Sequence, residues 1–259
     1  MKLAVILAAL ACAAAAPAAA QLSSTHDARA NTCMKLAQTR PDRAIAYALG
    51  WRAEGGGAAA RHCLAVAQFQ GSDYNAAFAS FEAAAIAAED TRDGRAVTLW
   101  REAGEAALIA ERPEQAVRYL GRALARPGGI EISPRAEAAL RQSRASALVD
   151  LKRLDEAADD LAQVTALDPE QPQGWLLRAT CARYRADWPV AESAIVEAAR
   201  LVPDSASVQF EAGNIAAAQS KTDLAKAAWA AAASADPESD AGKAAQKALT
   251  DMAAAATPP

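Results

Sequence analysis

Apolar residues recur along this chain with the spacing of one face of an α-helix, and the helical runs end at prolines. In residues 186–204, Ala191, Ile195 and Ala198 fall four and three residues apart, and Pro203 follows the run. Residues at these spacings share a helix face. Proline ends a helix because it lacks the N–H donor and disfavours the α conformation in the residue before it. The pattern predicts a helix with one alanine-rich buried face that stops before Pro203.

The pattern returns at a constant step of 34 residues, which predicts a repeat architecture. Prolines, alanines and larger apolar residues each keep this step. The three series are Pro169, Pro203 and Pro237; Ala157, Ala191 and Ala225; and Leu161, Ile195 and Trp229. A unit of this size cannot bury its apolar face alone, so stability must come from stacked neighbours.

The step and the order of residue sizes resemble the tetratricopeptide repeat, a helix–turn–helix unit. In residues 172–204 the family's large, small and proline positions are filled by Trp175, Ala179, Ala191, Ile195, Ala198 and Pro203. Two units depart from the pattern. In 138–170, Arg141 stands where a large apolar residue is expected, and in 28–53, Ala48 and Trp51 reverse the expected order of sizes.

The resemblance implies an all-α fold, a right-handed superhelical solenoid of antiparallel helix pairs with a C-terminal capping helix. About five to six repeats are expected, above the minimum of about three that such arrays need. Small residues at each crossing let paired helices approach closely, and large residues fill the space beside it. The expected division is 21–127 for N-terminal repeats, 128–137 for a connecting loop, 138–238 for C-terminal repeats, 239–253 for the capping helix and 254–259 for a disordered tail.

Residues 1–20 resemble a secretory signal peptide. Lys2 precedes a short apolar run, and Ala18 and Ala20 fit the A-x-A cleavage pattern. The run is too short for a membrane span. The pattern predicts cleavage near Ala20 and a periplasmic or secreted protein. The alternatives are an uncleaved anchor and a lipoprotein modified at Cys12, which follows a poor match to a lipobox.

Export would bring the cysteines into an oxidising compartment, where disulfides form. Cys33 and Cys63 lie in the first helices of adjacent units, and the pattern predicts a disulfide between them. The alternative is two unpaired cysteines buried in the core. Cys181 lies between alanines in the middle of a helix and is expected to be a small buried residue.

Charge and motifs argue against several classes of function. The formal net charge is −4, without the basic excess that nucleic-acid binding requires. No G-x-S-x-G, H-E-x-x-H or phosphate-binding glycine loop occurs, and the two histidines and three downstream cysteines lack the spacing of a zinc site. We therefore expect no catalytic site, no metal site and no cofactor.

The resemblance implies that the first helix of each repeat lines a concave groove. The groove positions carried over from the family are Arg101, Glu105, Gln142, Ser146, Gln173, Leu176, Thr180, Arg183, Tyr184, Phe210 and Asn214. This mixed polar and apolar lining suits an extended peptide or a partner helix. Arg183 and Tyr184 are expected to contribute to binding with little effect on stability, because exposed arginine and aromatic residues are common hot spots.

The resemblance therefore implies a non-enzymatic scaffold or adaptor in the periplasm that binds a protein or peptide partner. The alternative is a structural subunit of an envelope assembly, such as a pilus or outer-membrane machinery. In that case the groove would be filled by the protein's own helices or by a second copy. Trp175, Ala191 and Ile195 are expected to stabilise the fold in either case.

Overall fold

Helices follow one another along residues 15–255, the part of the chain that the computed structural model describes, and this part contains no strand. In chain order the helices are α1 (Ala15–Thr39), α2 (Pro41–Ala53), α3 (Gly57–Gln70), α4 (Tyr74–Asp90), α5 (Ala96–Ile109), α6 (Pro113–Leu124), α7 (Pro134–Asp150), α8 (Leu154–Leu167), α9 (Pro172–Tyr184), α10 (Trp188–Leu201), α11 (Ala206–Ala218), α12 (Thr222–Ala235) and α13 (Asp240–Ala255). They form two compact units, which divide between Ala110 and Glu111.

Helices pair with their neighbours in sequence, as α3 does with α4, α7 with α8, α9 with α10 and α11 with α12. In the pair α9–α10, Ala179, Ala191 and Ala198 are fully buried where the helices cross, and Ile195 fills the space beside them. Close crossing needs small side chains at the contact. The prediction of an all-α fold of consecutive helix pairs is confirmed.

Residue sizes compensate across each crossing. Ala179 of α9 packs in one cluster with Ile195 of α10. One repeat later, Gly213 takes the position of Ala179 and Trp229 takes that of Ile195. A Cβ atom added to Gly213 would lie 2.3 Å from Cδ1 of Trp229. The larger indole is therefore accommodated only because the facing position has no side chain.

A left-handed residue turns the chain between the helices of four pairs. It stands two positions after the first helix of each pair, as Ser72, Lys152, Ala186 and Ser220. After α9, the N–H of Ala186 donates to the Arg183 carbonyl and that of Asp187 to the Ala182 carbonyl, which satisfies two carbonyls at the helix end. The Asp187 side chain then caps α10 by accepting from the Val190 N–H.

The first helices depart from the pattern, as their sequence indicates. Trp51 is buried at the expected alanine position of α2 and packs in one cluster with Cys33, Ala48 and Cys63. The Cα atoms of Cys33 and Cys63 lie 6.0 Å apart, within the range for a disulfide. The structure thus places the two cysteines side by side in the core of the first unit.

The segments around the predicted boundaries have defined backbones. A 3₁₀ turn at Pro127–Gly129 precedes an extended stretch, and α7 begins at Pro134 inside the predicted loop 128–137. The last helix, α13, packs against α11 and α12. At the other end, α1 begins at Ala15; residues 1–14, including Cys12, lie outside the described residues, as do 256–259 of the predicted tail.

Candidate functional site

Nine of the predicted groove residues lie in the second unit, on the first helices of three successive pairs. These helices are α7, α9 and α11, and α9 packs against both of the others. Each helix presents its groove positions with a helical spacing of three or four residues, which places them on one face. The residues are Gln142 and Ser146 on α7; Gln173, Leu176, Thr180, Arg183 and Tyr184 on α9; and Phe210 and Asn214 on α11.

Two of these residues belong partly to the core. Leu176 is half-buried and packs against the cluster that contains Ile195 and Val208. Phe210 is half-buried against the cluster formed by Trp229 and by Ala245 of α13. Their apolar surface is thus already used in part by the fold, and only the remainder can contact a partner.

Arg183 is held by a carboxylate that the sequence analysis missed. Its Nε lies 2.7 Å from Oε1 of Glu211, and its Nη2 lies 3.2 Å from Oε2. Glu211 is only 5% exposed. Asn214 donates to the same carboxylate over 3.3 Å and accepts from Nε1 of Trp229 over 3.1 Å. One hydrogen-bonded chain therefore joins α9, α11 and α12.

The ion pair changes what is expected of Arg183. Burial of the guanidinium opposes its charge, but the hydrogen bond and the charge of Glu211 outweigh burial and raise the pKa of Arg183 above its ordinary value. Removal of Arg183 would leave the buried Glu211 carboxylate without its cation, which destabilises a protein strongly. Because the side chain links two repeats, we now expect removal of Arg183 to cost stability, and its contribution to binding stays a prediction.

Tyr184 remains available at the surface. Its side chain is 50% exposed, although cations approach its ring. The Arg183 guanidinium carbon lies 4.5 Å from the ring centroid and Nζ of Lys152 lies 5.5 Å from it. Cation–π contacts of this kind hold an aromatic ring in place. The ring is thus an ordered, partly exposed platform beside the neutralised Arg183.

Uncharged polar groups cover the rest of this face. Nε2 of Gln171 donates to Oε1 of Gln142 over 3.1 Å, which joins α7 to the start of α9. The hydroxyls of Ser146 and Thr180 donate to carbonyls of their own helices, and Gln173 is exposed. The face thus offers amide groups and an aromatic ring without a free charge among its predicted residues.

The two predicted residues of the first unit pair with each other. Nη1 of Arg101 lies 2.8 Å from Oε1 of Glu105, one turn along α5. Both side chains are partly exposed, so this i,i+4 pair contributes little to stability. It gives this part of α5 a neutral polar surface.

No signal for chemistry appears in the described part of the chain. Residues 15–255 hold no group of three His, Cys, Asp or Glu side chains arranged to bind a metal ion. Among the helices described, none has both the length and the apolar character that a membrane crossing requires.

Comparison with known proteins identifies the fold. No protein-family model and no curated protein sequence matches the chain. Among solved structures, PilF of Pseudomonas aeruginosa has a TM-score of 0.63 at 16% identity and covers 87% of this chain and 98% of its own. PilW, a type IV pilus biogenesis factor, has a TM-score of 0.63 at 15% identity, and the match covers 85% of this chain and 97% of PilW.

A third structure, YrrB, is described as a tetratricopeptide-repeat protein with an unusual peptide-binding site. Its TM-score is 0.58 at 18% identity, and the match covers 77% of this chain and 96% of that one. Identities this low show a shared fold alone. The paired helices, the 34-residue step and these matches together show that the chain has the tetratricopeptide-repeat fold.

Proposed function

We propose that this chain is a non-enzymatic scaffold or adaptor whose face formed by α7, α9 and α11 binds a peptide of a partner protein. The observation that supports this most is Tyr184, which is half exposed and contacted by Arg183 and Lys152. Gln173 is exposed about three helical turns away on α9. A rigid aromatic ring with one polar tip is a common anchor at protein interfaces. Neighbouring amide groups can bond the N–H and C=O groups of an extended chain.

The pattern of charge indicates the kind of peptide. Arg183 is neutralised by Glu211, and the remaining predicted residues of α7 and α9 carry no charge. Affinity would therefore come from backbone hydrogen bonds and apolar contact more than from ion pairs. Binding should accordingly change little between low and moderate salt, since salt screens exposed charges and has little effect on neutral contacts.

Two of the similar structures favour this function and a place in the cell envelope. YrrB is described as having a peptide-binding site, and PilW as a factor in pilus biogenesis. Together with the signal-like residues 1–20, these descriptions support export and work in the periplasm. Mass spectrometry of the exported protein should find Gln21 at its N-terminus; a lipid-modified Cys12 would contradict a freely diffusing periplasmic protein.

The groove is tested with peptides selected on the protein itself from a displayed library of random dodecapeptides. Tyr184→Ala and Gln173→Ala should each weaken the selected peptides about tenfold by calorimetry, a loss of roughly 1.4 kcal/mol. The matched control is Leu224→Ala, which removes an apolar side chain from α12 that is 62% exposed, against 50% for Tyr184. If no selected peptide depends on Tyr184, or if Leu224→Ala weakens binding equally, the proposed groove is wrong.

The alternative, a structural subunit with a filled groove, has one observation in its favour. Helix α13 packs on α11 and covers part of Phe210. It leaves Tyr184 half exposed, so the part of the face on α9 stays open to a partner. A concentration-dependent dimer in which Tyr184 becomes protected would favour the structural subunit instead.

A further inference from the structure

A separate cavity of about 660 Å³ opens beside α9 and α10, and none of its lining belongs to the predicted groove. Its lining consists of Trp175 and Arg178 of α9 and of Pro189, Glu192, Ser193, Val196 and Glu197 of α10. Val196 is 63% exposed and presents its apolar side chain to this opening. The cavity therefore combines a cation with apolar surface that the fold does not cover.

In the preceding repeat, the arginines at the equivalent position pair with a buried carboxylate. There, Asp160 is 1% exposed and binds two arginines. Nη1 of Arg141 lies 3.0 Å from its Oδ1, and Nη2 and Nε of Arg144 lie 2.7 Å from its two oxygens. In 138–170, the buried carboxylate of Asp160 thus pairs with both arginines of α7, and Arg141 has a second partner in Glu137.

One repeat later, an arginine is again present, but the buried carboxylate is replaced by an alanine. A step of 34 residues carries Arg144 to Arg178 and Asp160 to Ala194, which is as buried as Asp160. Arg178 bonds the neutral Thr165 hydroxyl over 2.8 Å and lies 5.7 Å from the centroid of the Trp175 ring. Among the described residues no carboxylate lies within ion-pair distance of Arg178.

The two acidic residues at the rim do not replace the missing partner. Glu192 pairs with Nζ of Lys221 at 2.7 Å, and the hydrogen bond from Lys221 holds the pKa of Glu192 below its ordinary value. Glu197 pairs with Nε of Arg200 at 2.9 Å. Each rim charge is thus balanced by its own cation, and the cavity retains the positive charge of Arg178.

We propose that this cavity docks a segment of a partner protein that carries an Asp or Glu next to an apolar side chain. The partner's carboxylate pairs with Arg178 and takes the role that Asp160 has one repeat earlier. The apolar side chain packs on Trp175 and Val196. Arginine and carboxylate form paired, charge-assisted hydrogen bonds, which fix orientation as well as affinity. This docking site is distinct from the groove that contains Tyr184.

The test uses a matched pair of blocked peptides, acetyl-Gly-Leu-Glu-Leu-Gly-amide and its glutamine counterpart. Two-dimensional ¹H–¹⁵N NMR follows the indole N–H of Trp175 and the Nε–H of Arg178. The glutamate peptide should shift both signals saturably at millimolar concentration, with a Kd at least about tenfold lower than that of the glutamine peptide. Arg178→Gln should abolish this preference.

Two further variants separate a specific site from general attraction. Lys226→Gln removes an exposed cation from α12 and should leave binding unchanged. Ala194→Asp supplies the missing carboxylate in cis and should block the peptide; if that variant fails to fold, Val196→Asp places a negative charge at the rim and should weaken binding.

Three results would overturn the proposal. The first is the absence of a saturable shift at millimolar glutamate peptide. The second is equal binding of the two peptides, which would leave no role for the carboxylate. The third is a shift of the Trp175 and Arg178 signals that grows with protein concentration in the absence of peptide and disappears in Ala194→Asp. That result would show that a second copy of this chain occupies the cavity.

Discussion

At the scale of single residues, Gly213 is required because no side chain fits at its position. Its neighbour Trp229 occupies the space that a Cβ would need. Gly50 lies within α2 with open space around its Cα. Two helical glycines thus have opposite roles, and the sequence alone does not distinguish them.

Gly213→Ala should destabilise the protein by about 1–3 kcal/mol, since the buried Trp229 ring must shift to admit a methyl group. Gly50→Ala is the matched control and should stabilise by about 0.5–1 kcal/mol, because alanine loses less conformational freedom in a helix. Urea unfolding measures both. In the Trp229→Leu background, Gly213→Ala should lose most of its cost; an unchanged cost there would show that the indole is not the cause.

The left-handed residues between paired helices are a second feature of this scale. Four helix pairs use Ser, Lys, Ala and Ser there, and none of these four uses glycine. A left-handed conformation costs a residue with a Cβ about 1–2 kcal/mol. These positions could not be predicted from the sequence, because glycine is the residue that usually marks them.

Ala186→Gly should therefore stabilise the protein by up to about 1 kcal/mol, the relief of φ strain being partly offset by the greater freedom of glycine when unfolded. Ala186 is exposed with a φ of 55°. The comparison variant is Ala230→Gly, in the middle of α12, which should cost about 1 kcal/mol. Thermal unfolding that moves in the same direction for both variants would contradict this account.

At the scale of helices, the pairs could be predicted from sequence and the links between pairs could not. Ala191, Ala198 and Pro203 define a helix and its crossing through residue size and backbone chemistry, which are local properties. The bond from Arg183 to Glu211 spans 28 residues of sequence. Several acidic residues could have met Arg183, and only the packing of α9 on α11 selects one.

The same limit applies to the candidate site. Position in the repeat correctly placed Tyr184 and Gln173 at the surface. It could not show that Asn214 bonds Trp229, or that Leu176 and Phe210 are partly covered. These outcomes depend on the neighbouring repeats, whose side chains differ from the family's average pattern.

The link between α9 and α11 should be important for stability. Glu211→Gln keeps the shape of the side chain but removes the charge that pairs with Arg183, and should destabilise by about 3 kcal/mol. The matched control is Arg153→Gln, which breaks an exposed pair with Glu156 and should change stability by less than about 1 kcal/mol. Denaturant unfolding distinguishes the two.

A double variant then separates charge from contact. Arg183→Met with Glu211→Leu replaces the ion pair by apolar side chains of similar size, and such replacements are often neutral or stabilising. Most of the stability lost in Glu211→Gln should return. A double variant that is less stable than Glu211→Gln would show that the hydrogen-bonded chain through Asn214 is needed as a whole.

At the scale of the whole molecule, each repeat contacts only the adjacent repeats, so a stabilising interaction acts mainly on its own repeat and the next ones. A local crosslink should therefore act locally. Cys33 of α1 and Cys63 of α3 lie side by side in the first unit, in a cluster with Trp51 and Leu64. If they are bonded, the first unit gains stability and more distant helices gain little.

The predicted disulfide closes a loop between residues 33 and 63, which in the chain-entropy model stabilises by roughly 3–4 kcal/mol. Reduction, or the variant Cys33→Ser with Cys63→Ser, should lower amide protection in α1–α3 by hydrogen exchange and leave α9–α12 nearly unchanged. Cys181→Ala is the control, since Cys181 is a buried free thiol in the second unit and its removal should not alter the first helices. A non-reducing peptide map of the exported protein must also show Cys33 joined to Cys63. Free thiols at both positions, or an equal loss of protection in α1–α3 and α9–α12 on reduction, would contradict a crosslink that stabilises the first unit.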